Sequence, residues 1–219
     1  MEIVRVGSVA STQELARSRP IGSAVVADHQ QAGRGRLGRV WEAPPGTALL
    51  ASFVLRYQPL APLAAGVAAA EACGPSVRLK WPNDLLLEGR KLGGILVEAV
   101  GDRCVVGVGV NLAWAPEGAA RLDAGRDQLL DDLCAALDRW WSVPGEQVLE
   151  AWRARSDTLG RRVRVDLGAE TVEGLAEDVA LDGSLIVDGR ALAAGDVTHL
   201  RAVGPSPAAG EAPRPTSPG

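Results

Sequence analysis

Lysine is almost missing from this chain. Of its 23 lysines and arginines only Lys80 and Lys91 are lysine, and its only asparagines are Asn83 and Asn111. A compact, mobile ammonium does different chemistry from the planar guanidinium fork, so the two surviving lysines mark candidate sites. Cysteine is scarce as well. Cys73, Cys104 and Cys134 are odd in number, widely spaced and without a C-x-x-C, which argues against a disulfide framework and gives no zinc signature. No apolar run approaches the roughly 20 residues of a membrane helix. The opening MEIVRVGSVAS lacks the length and the apolar core of a signal peptide. With a net charge of −4 and a pI near 5.3, the chain lacks the basic excess of a broad nucleic-acid binder. These absences lead to the expectation of a reduced, cytoplasmic protein with neither DNA nor membrane as partner.

What is present suits one substantial core and a small second one within 219 residues. Residues 11–14 read S-T-Q-E, a capping-box spacing that predicts a short helix to about residue 18. Strands are predicted at 23–28 and 47–56, and an alanine-rich helix from Pro62 to residue 72, ended by Gly74-Pro75. Strands at 77–81, 84–87, 92–100 and 104–110 follow one another through tight turns as an antiparallel meander. They are too apolar to face water on both sides, so helices should cover one face. One is predicted at 127–141, where Leu130, Leu133, Leu137 and Trp141 share a stripe, and another follows Pro144 to about residue 155. Trp140, Trp141 and Trp152 read as core. From residue 159 short alternating strands (RRVRVDL, TVEGLAEDV, SLIVDG, VTHLRAV) predict a small barrel-like β domain. Residues 204–219, rich in Pro, Ala, Gly and Ser, read as a disordered tail.

The chemistry gathers around residues 33–41, GRGRLGRVW. Three arginines, Arg34, Arg36 and Arg39, ride on a glycine frame able to fold closely over a ligand and release it, which suits an anion. Gly33, Gly35 and Gly38 satisfy G-x-G-x-x-G. However, Trp41-Glu42-Ala43-Pro44-Pro45 cannot start the helix a dinucleotide fold requires, and no acid stands at residues 51–58. The kinase segments HRD and DFG and a Walker lysine are also missing. Residues 80–84, KWPND, leave a strand, turn at proline and present Asn83 and Asp84. Lys91 returns to the same end after the next turn. A carboxylate and two ammonium groups held together suit a phosphate and its magnesium, with Asp84 either holding the metal or orienting a lysine and Lys91 neutralising charge at the reacting phosphorus.

GRGRLGRVW, KWPNDLLL, RKLGGILVE and GVGVNL, in this order and spacing, resemble the signature blocks of the biotin–protein ligases (biotin–acetyl-CoA-carboxylase ligases). The leading Ser11-Thr12, Gln30-Gln31-Ala32 before the loop and TLGRRVRV at the start of the C-terminal segment fit as well. The resemblance covers essentially residues 9–203. It implies an α+β fold of the class II aminoacyl-tRNA synthetase/biotin ligase type: a mixed sheet backed by helices over residues 1–157, then an SH3-like β-barrel over 158–203. With about ten residues before Ser11, the chain is expected to be the monofunctional form without a DNA-binding helix-turn-helix. The implied reaction joins biotin to ATP as biotinyl-5′-AMP, with Mg²⁺, and then acylates a lysine of a biotin carboxyl carrier domain.

Position by position, the resemblance implies that Ser11, Thr12, Gln13 and Gln30 bind biotin's ureido ring. Gly33, Arg34, Gly35 and Arg36 would wrap its valeryl chain and the phosphate. Gly93 and Gly94 would let a strand approach biotin, Trp41 would lie against adenine and Asn111 would read its edge. Arg39, Lys80, Asn83 and Lys91 would contact the nucleotide, with Asp196 and Arg201 reaching toward it. Arg36, Lys91 and Asp84 are the expected catalytic set. Two departures stand out: Gln13 where the family usually has asparagine, and Leu37 where the loop is often basic.

Overall fold

The computed structural model describes residues 1–200; the expectations for Arg201 and for the tail at 204–219 fall outside that range. A seven-stranded mixed sheet carries the first part of the chain. Its strands are β1 (Glu2–Val9), β2 (Ser23–Gln30), β3 (Ala48–Arg56), β4 (Val77–Lys80), β5 (Asp84–Leu87), β6 (Arg90–Val100) and β7 (Arg103–Asn111), in spatial order β1-β2-β3-β7-β6-β5-β4. Only the β1–β2 pair is parallel; the remaining neighbours are antiparallel. The sequence expectation omitted β1. Its residues are exposed or half-buried along an edge, so it carries little of the apolar signal that marks β2 and β3.

Helices α2 (Ala61–Cys73), α3 (Arg126–Trp140) and α4 (Gly145–Arg155) pack on one face, close to the predicted spans. Alanine on nearly every side of α2 lets neighbours come close, and Gly66 lies against Leu79, Ile95 and the indole of Trp152. Trp152 is fully buried as expected. Trp140 and Trp141 are only half-buried, with their indole N–H groups donated to Glu71 and to the Arg56 carbonyl. The opposite face carries α1 (Thr12–Ala16), a helix of little more than one turn.

The second sheet has five antiparallel strands, β8 (Arg162–Asp166), β9 (Thr171–Val179), β10 (Leu185–Val187), β11 (Arg190–Leu192) and β12 (Asp196–His199), in order β11-β10-β9-β8-β12. The expectation ran one strand through SLIVDG. In the structure Asp188 and Gly189 both take positive φ (44° and 74°), the tight two-residue turn of a hairpin, and β11 follows. The hydrophobic core is continuous between the two sheets, with Val163, Ala176, Leu185 and Val197 in one cluster with Leu79 and Trp81.

Polar contacts fasten the same junction. Trp81 donates its main-chain N–H to Thr158 Oγ1 (3.0 Å) and its indole N–H to the Gly183 carbonyl (3.1 Å), and Asp157 N–H donates to the Leu79 carbonyl at 2.7 Å. His199 lies there, its Nδ1 3.6 Å from Asp157 Oδ2 and its Nε2 buried. Burial, then the nearby Lys80 ammonium, hold its pKa below the ordinary 6.5 despite Asp157. The unfolded chain therefore binds that proton more readily, and the stabilising contribution, complete above the ordinary value, is lost as pH falls through the lower folded one. The urea midpoint should drop between about pH 7.5 and about pH 5.5, and drop less in His199→Gln; equal drops would remove His199 from the account.

Candidate functional site

Residues 33–41 close as a small hairpin over the helix-poor face of the first sheet. Trp41 N–H donates to the Gly33 carbonyl at 2.9 Å, Gly35 N–H donates to Arg39 at 2.7 Å, and Arg34 bridges Val40. A Cβ on Gly33 would stand 2.3 Å from the Trp41 carbonyl oxygen, so only glycine lets the hairpin shut. Its tip is one 3₁₀ turn, Arg36–Gly38, with Leu37 at φ 54° and 73% exposed. A leucine in the left-handed region is strained by roughly 1–2 kcal/mol. Side chains tether the hairpin at two places. Arg36 reaches the Asn83 side-chain oxygen (3.4 Å) and the Gly195 carbonyl (3.5 Å), while Arg39 pairs with Asp196. Burial lowers the Arg36 pKa, opposed by the carboxylates of Asp196 and Asp84; an arginine shifted from so high a value stays charged at neutral pH.

The second half of the site is built by a β-bulge. Pairing runs Asp84↔Gly94 and Leu85↔Gly93, then slips to Leu86↔Lys91. In a regular strand Lys91 and Gly94, three apart, would point to opposite faces. The extra residue turns Lys91 onto the face that carries Asp84 and Gly94. Lys91 Nζ lies 2.7 Å from Asp84 Oδ1. The hairpin between them turns through Glu88 and Gly89, both at positive φ.

Between flap and sheet lies a cavity of about 120 Å³, lined on its floor by Ser11, Thr12, Gln13, Gln30 and Ser52 and on its sides by Arg34, Arg36, Trp41, Asp84, Lys91 and Gly94. Sequence spacing suggested that Ser11 caps α1 with Glu14. Instead Ser11 makes no capping bond and is 2% exposed, with its hydroxyl unpartnered among the described residues. A buried hydroxyl without a partner is uncommon and points to an absent one. Thr12 donates its N–H to Gln30 Oε1 at 2.7 Å, and its hydroxyl lies 2.8 Å from that of Ser52. The Trp41 indole lies over Gly94 and Gly109; a Cβ on Gly109 would fall 2.7 Å from the ring. A larger cleft of about 840 Å³ adjoins across Arg34–Val40 and Asn83, walled by Pro59, Leu63, Trp81 and Asp182–Ser184.

The biotin/lipoate A/B protein ligase family matches residues 8–112, and the biotin protein ligase C-terminal domain matches residues 158–200. The biotin–[acetyl-CoA-carboxylase] ligase of Mycobacterium tuberculosis is 38% identical over 213 residues, a match covering 82% of this chain and 80% of that one. The chain belongs to the biotin–protein ligase family. The Paracoccus denitrificans ligase of the same name is 36% identical, covering 78% of this chain and 86% of its own. The solved biotin protein ligase of Aquifex aeolicus in complex with biotin and ATP superposes with a TM-score of 0.79 at 25% identity. It covers 92% of this chain and 99% of that one. The biotin ligase fold expected from the motifs is therefore the fold observed.

Not every candidate from the sequence meets in this ligase cavity. Ser11, Thr12, Gln13, Gln30, Arg34, Gly35, Arg36, Arg39, Trp41, Asn83, Asp84, Lys91, Gly94 and Asp196 all line it. Lys80 stands instead beside His199, and Asn111 is buried with its amide donated to the Ala120 carbonyl at 3.0 Å. Gly93 faces the neighbouring strand. Ser52 was overlooked, although a lone hydroxyl inside the apolar run ALLASFVLR is itself a signal. The glycine pair separates two kinds of close approach. A Cβ on Gly93 would meet the Gly109 carbonyl oxygen at 2.5 Å, main chain that cannot step aside. On Gly94 the nearest atom is a Trp41 ring carbon at an ordinary 3.5 Å. Gly93→Ala should destabilise by about 1–3 kcal/mol and Gly94→Ala by much less, read from urea midpoints; the opposite ranking would contradict the register described.

Proposed function

We propose that this ligase activates biotin with ATP, releasing pyrophosphate, and passes biotin from biotinyl-5′-AMP to one lysine of a carrier domain of acetyl-CoA carboxylase or a related carboxylase. The observation that carries the residue assignments is the convergence of an arginine-bearing flap and the Lys91–Asp84 pair on one small cavity with a polar floor.

The first step brings two anions together. A carboxylate oxygen of biotin attacks the α-phosphorus of ATP, the bond to the bridging oxygen of pyrophosphate breaks, and pyrophosphate leaves. Two unit charges about 4 Å apart repel by about 1 kcal/mol in water and about 4 kcal/mol at the lower effective dielectric of a protein site. Arg34, Arg36 and Lys91 supply the opposing charge, and it counts most where negative charge accumulates in the transition state. Asp84 orients the Lys91 ammonium. The flap shields the mixed anhydride from water.

In the second step the carrier's lysine amine attacks the acyl carbonyl, and AMP leaves with the phosphoryl oxygen. No covalent enzyme intermediate is needed. Burial agrees with that, pushing the Cys73 and Cys104 thiols up to about 12 and about 11, so neither supplies a thiolate at neutral pH.

Ser11, Thr12 and Gln30 suit the N–H and C=O groups of a cyclic urea, and the Trp41 face suits a purine. Arg39, Asn83 and Asp196, which line the same cavity, are assigned to the nucleotide. The Asp84 carboxylate is a fitting ligand for Mg²⁺, which commonly takes one or two protein carboxylates and fills its shell with water and phosphate oxygens. Bound there, Mg²⁺ would neutralise phosphate charge.

Lipoate is the substrate to test against, because the matching family spans both acids. An apolar dithiolane has no use for the hydroxyls and amides of this floor. ATP–pyrophosphate exchange should be driven by biotin and not by lipoate; the reverse would overturn the substrate. In Lys91→Ala, exchange should fall by at least about a hundredfold with the urea midpoint unchanged; near-normal exchange would remove Lys91 from the chemistry.

A further inference from the structure

Beneath the cavity two hydroxyls and two side-chain amides form a chain in which hydrogen-bond contacts outnumber the available protons. Thr12 Oγ1 lies 2.9 Å from Gln30 Oε1 and 2.8 Å from Ser52 Oγ, and Ser52 Oγ lies 3.1 Å from Gln13 Oε1. Two hydroxyl protons must serve these three contacts. If Thr12 donated to Gln30 and Ser52 to Gln13, the 2.8 Å contact would set two lone-pair oxygens against each other. If Ser52 donated to Thr12, Gln13 Oε1 would lose its one partner among the described residues. Gln13 cannot rotate to escape. Its Nε2 donates to the main-chain carbonyls of Val105 (3.0 Å) and Leu96 (3.4 Å), so the amide oxygen is fixed toward Ser52. Gly107 leaves room for this pose, since a Cβ there would lie 2.6 Å from Gln13 Oε1.

Every arrangement leaves one contact without a proton, and the contacts differ in what can supply it: Ser52 is fully buried, whereas Gln30 is half-buried at the cavity end of the chain. The shortfall is therefore best carried by the 2.9 Å contact between Thr12 Oγ1 and Gln30 Oε1, where a ligand N–H can relieve it, with Thr12 donating to Ser52 and Ser52 to Gln13. Gln30 Oε1 keeps the Thr12 main-chain N–H, at 2.7 Å. Thr12 Oγ1 and Gln30 Oε1 then both offer free lone pairs to the cavity, while the unpartnered Ser11 hydroxyl is free to donate.

We propose that Ser52, anchored by Gln13, is a positioning residue that polarises this chain so that Thr12 and Gln30 meet the ligand as hydrogen-bond acceptors. The inference rests on the biotin reading above: a cyclic urea carries two N–H donors beside one carbonyl, the complement of two acceptors and a donor. It also gives the longer Gln13 a purpose, because the extra methylene carries its amide to the strand carbonyls and its oxygen to Ser52. With Ser52 truncated, Thr12 turns its proton to Gln30, and the two acceptors facing the ligand satisfy each other.

The test is calorimetric titration of wild type and Ser52→Ala with biotin and with biotin methylated on a ureido nitrogen, together with exchange kinetics. Ser52→Ala should bind biotin roughly tenfold more weakly, the loss of about one hydrogen bond. KM for biotin should rise to match, with kcat and the KM for ATP unchanged. Methylation should weaken binding to the wild type by a larger factor than binding to Ser52→Ala. A merely structural role would lower the urea midpoint and leave that difference between the ligands unaltered. Biotin affinity within about twofold of wild type, or equal penalties for methylation in both proteins, would overturn the proposal while leaving the function standing. No biotin binding by the wild type would overturn both.

Discussion

Two negatively charged reactants have to touch, and under the proposed reaction most of the local construction answers that constraint. Positive charge must be concentrated in excess of the carboxylates that hold it: Arg39 pairs with Asp196 and Lys91 with Asp84, which leaves Arg34 and Arg36 as the surplus. The structure does this with a flap bearing three arginines and one lysine paired to a single carboxylate. Each is positioned by a backbone irregularity rather than by regular structure. The flap shuts because Gly33 has no side chain, and Lys91 reaches the site because a bulge in β6 turns it there.

The C-terminal sheet belongs to the same construction. Its core is continuous with that of the first sheet, Trp81 is hydrogen-bonded to it, and Asp196 and the Gly195 carbonyl hold Arg39 and Arg36. A five-stranded sheet of this size buries little surface by itself. Docking supplies its stability and at the same time gives the flap an attachment point.

The sequence discloses what apolar patterning and the motif blocks carry. Apolar runs and their punctuation placed β2 to β7 and the three long helices within a few residues, and the motif blocks placed most of the cavity lining. Three features lie outside those patterns. β1 is an exposed edge with a weak apolar pattern. β11 is hidden because Asp188-Gly189 reads equally as the end of a strand and as the turn of a hairpin, which it is. Ser11 looked like a helix cap because Ser-x-x-Glu spacing is the same whether the hydroxyl turns back to the helix or into a cavity. Spacing alone does not decide such matters: Lys80 and Lys91 are equally rare residues, yet only the second is carried into the cavity, by the bulge between β5 and β6.

The central claim is that the cationic groups act where anion meets anion, in the first step far more than in the second. The most direct measurement supplies chemically made biotinyl-5′-AMP with a carrier domain to wild type, Arg36→Ala and Lys91→Ala. Transfer to the carrier is then compared with adenylate formation from biotin and ATP. The expected result is a loss in adenylate formation at least about tenfold greater than the loss in transfer. Equal losses in the two steps would mean that these side chains hold the nucleotide in place and do not offset the repulsion between the reactants.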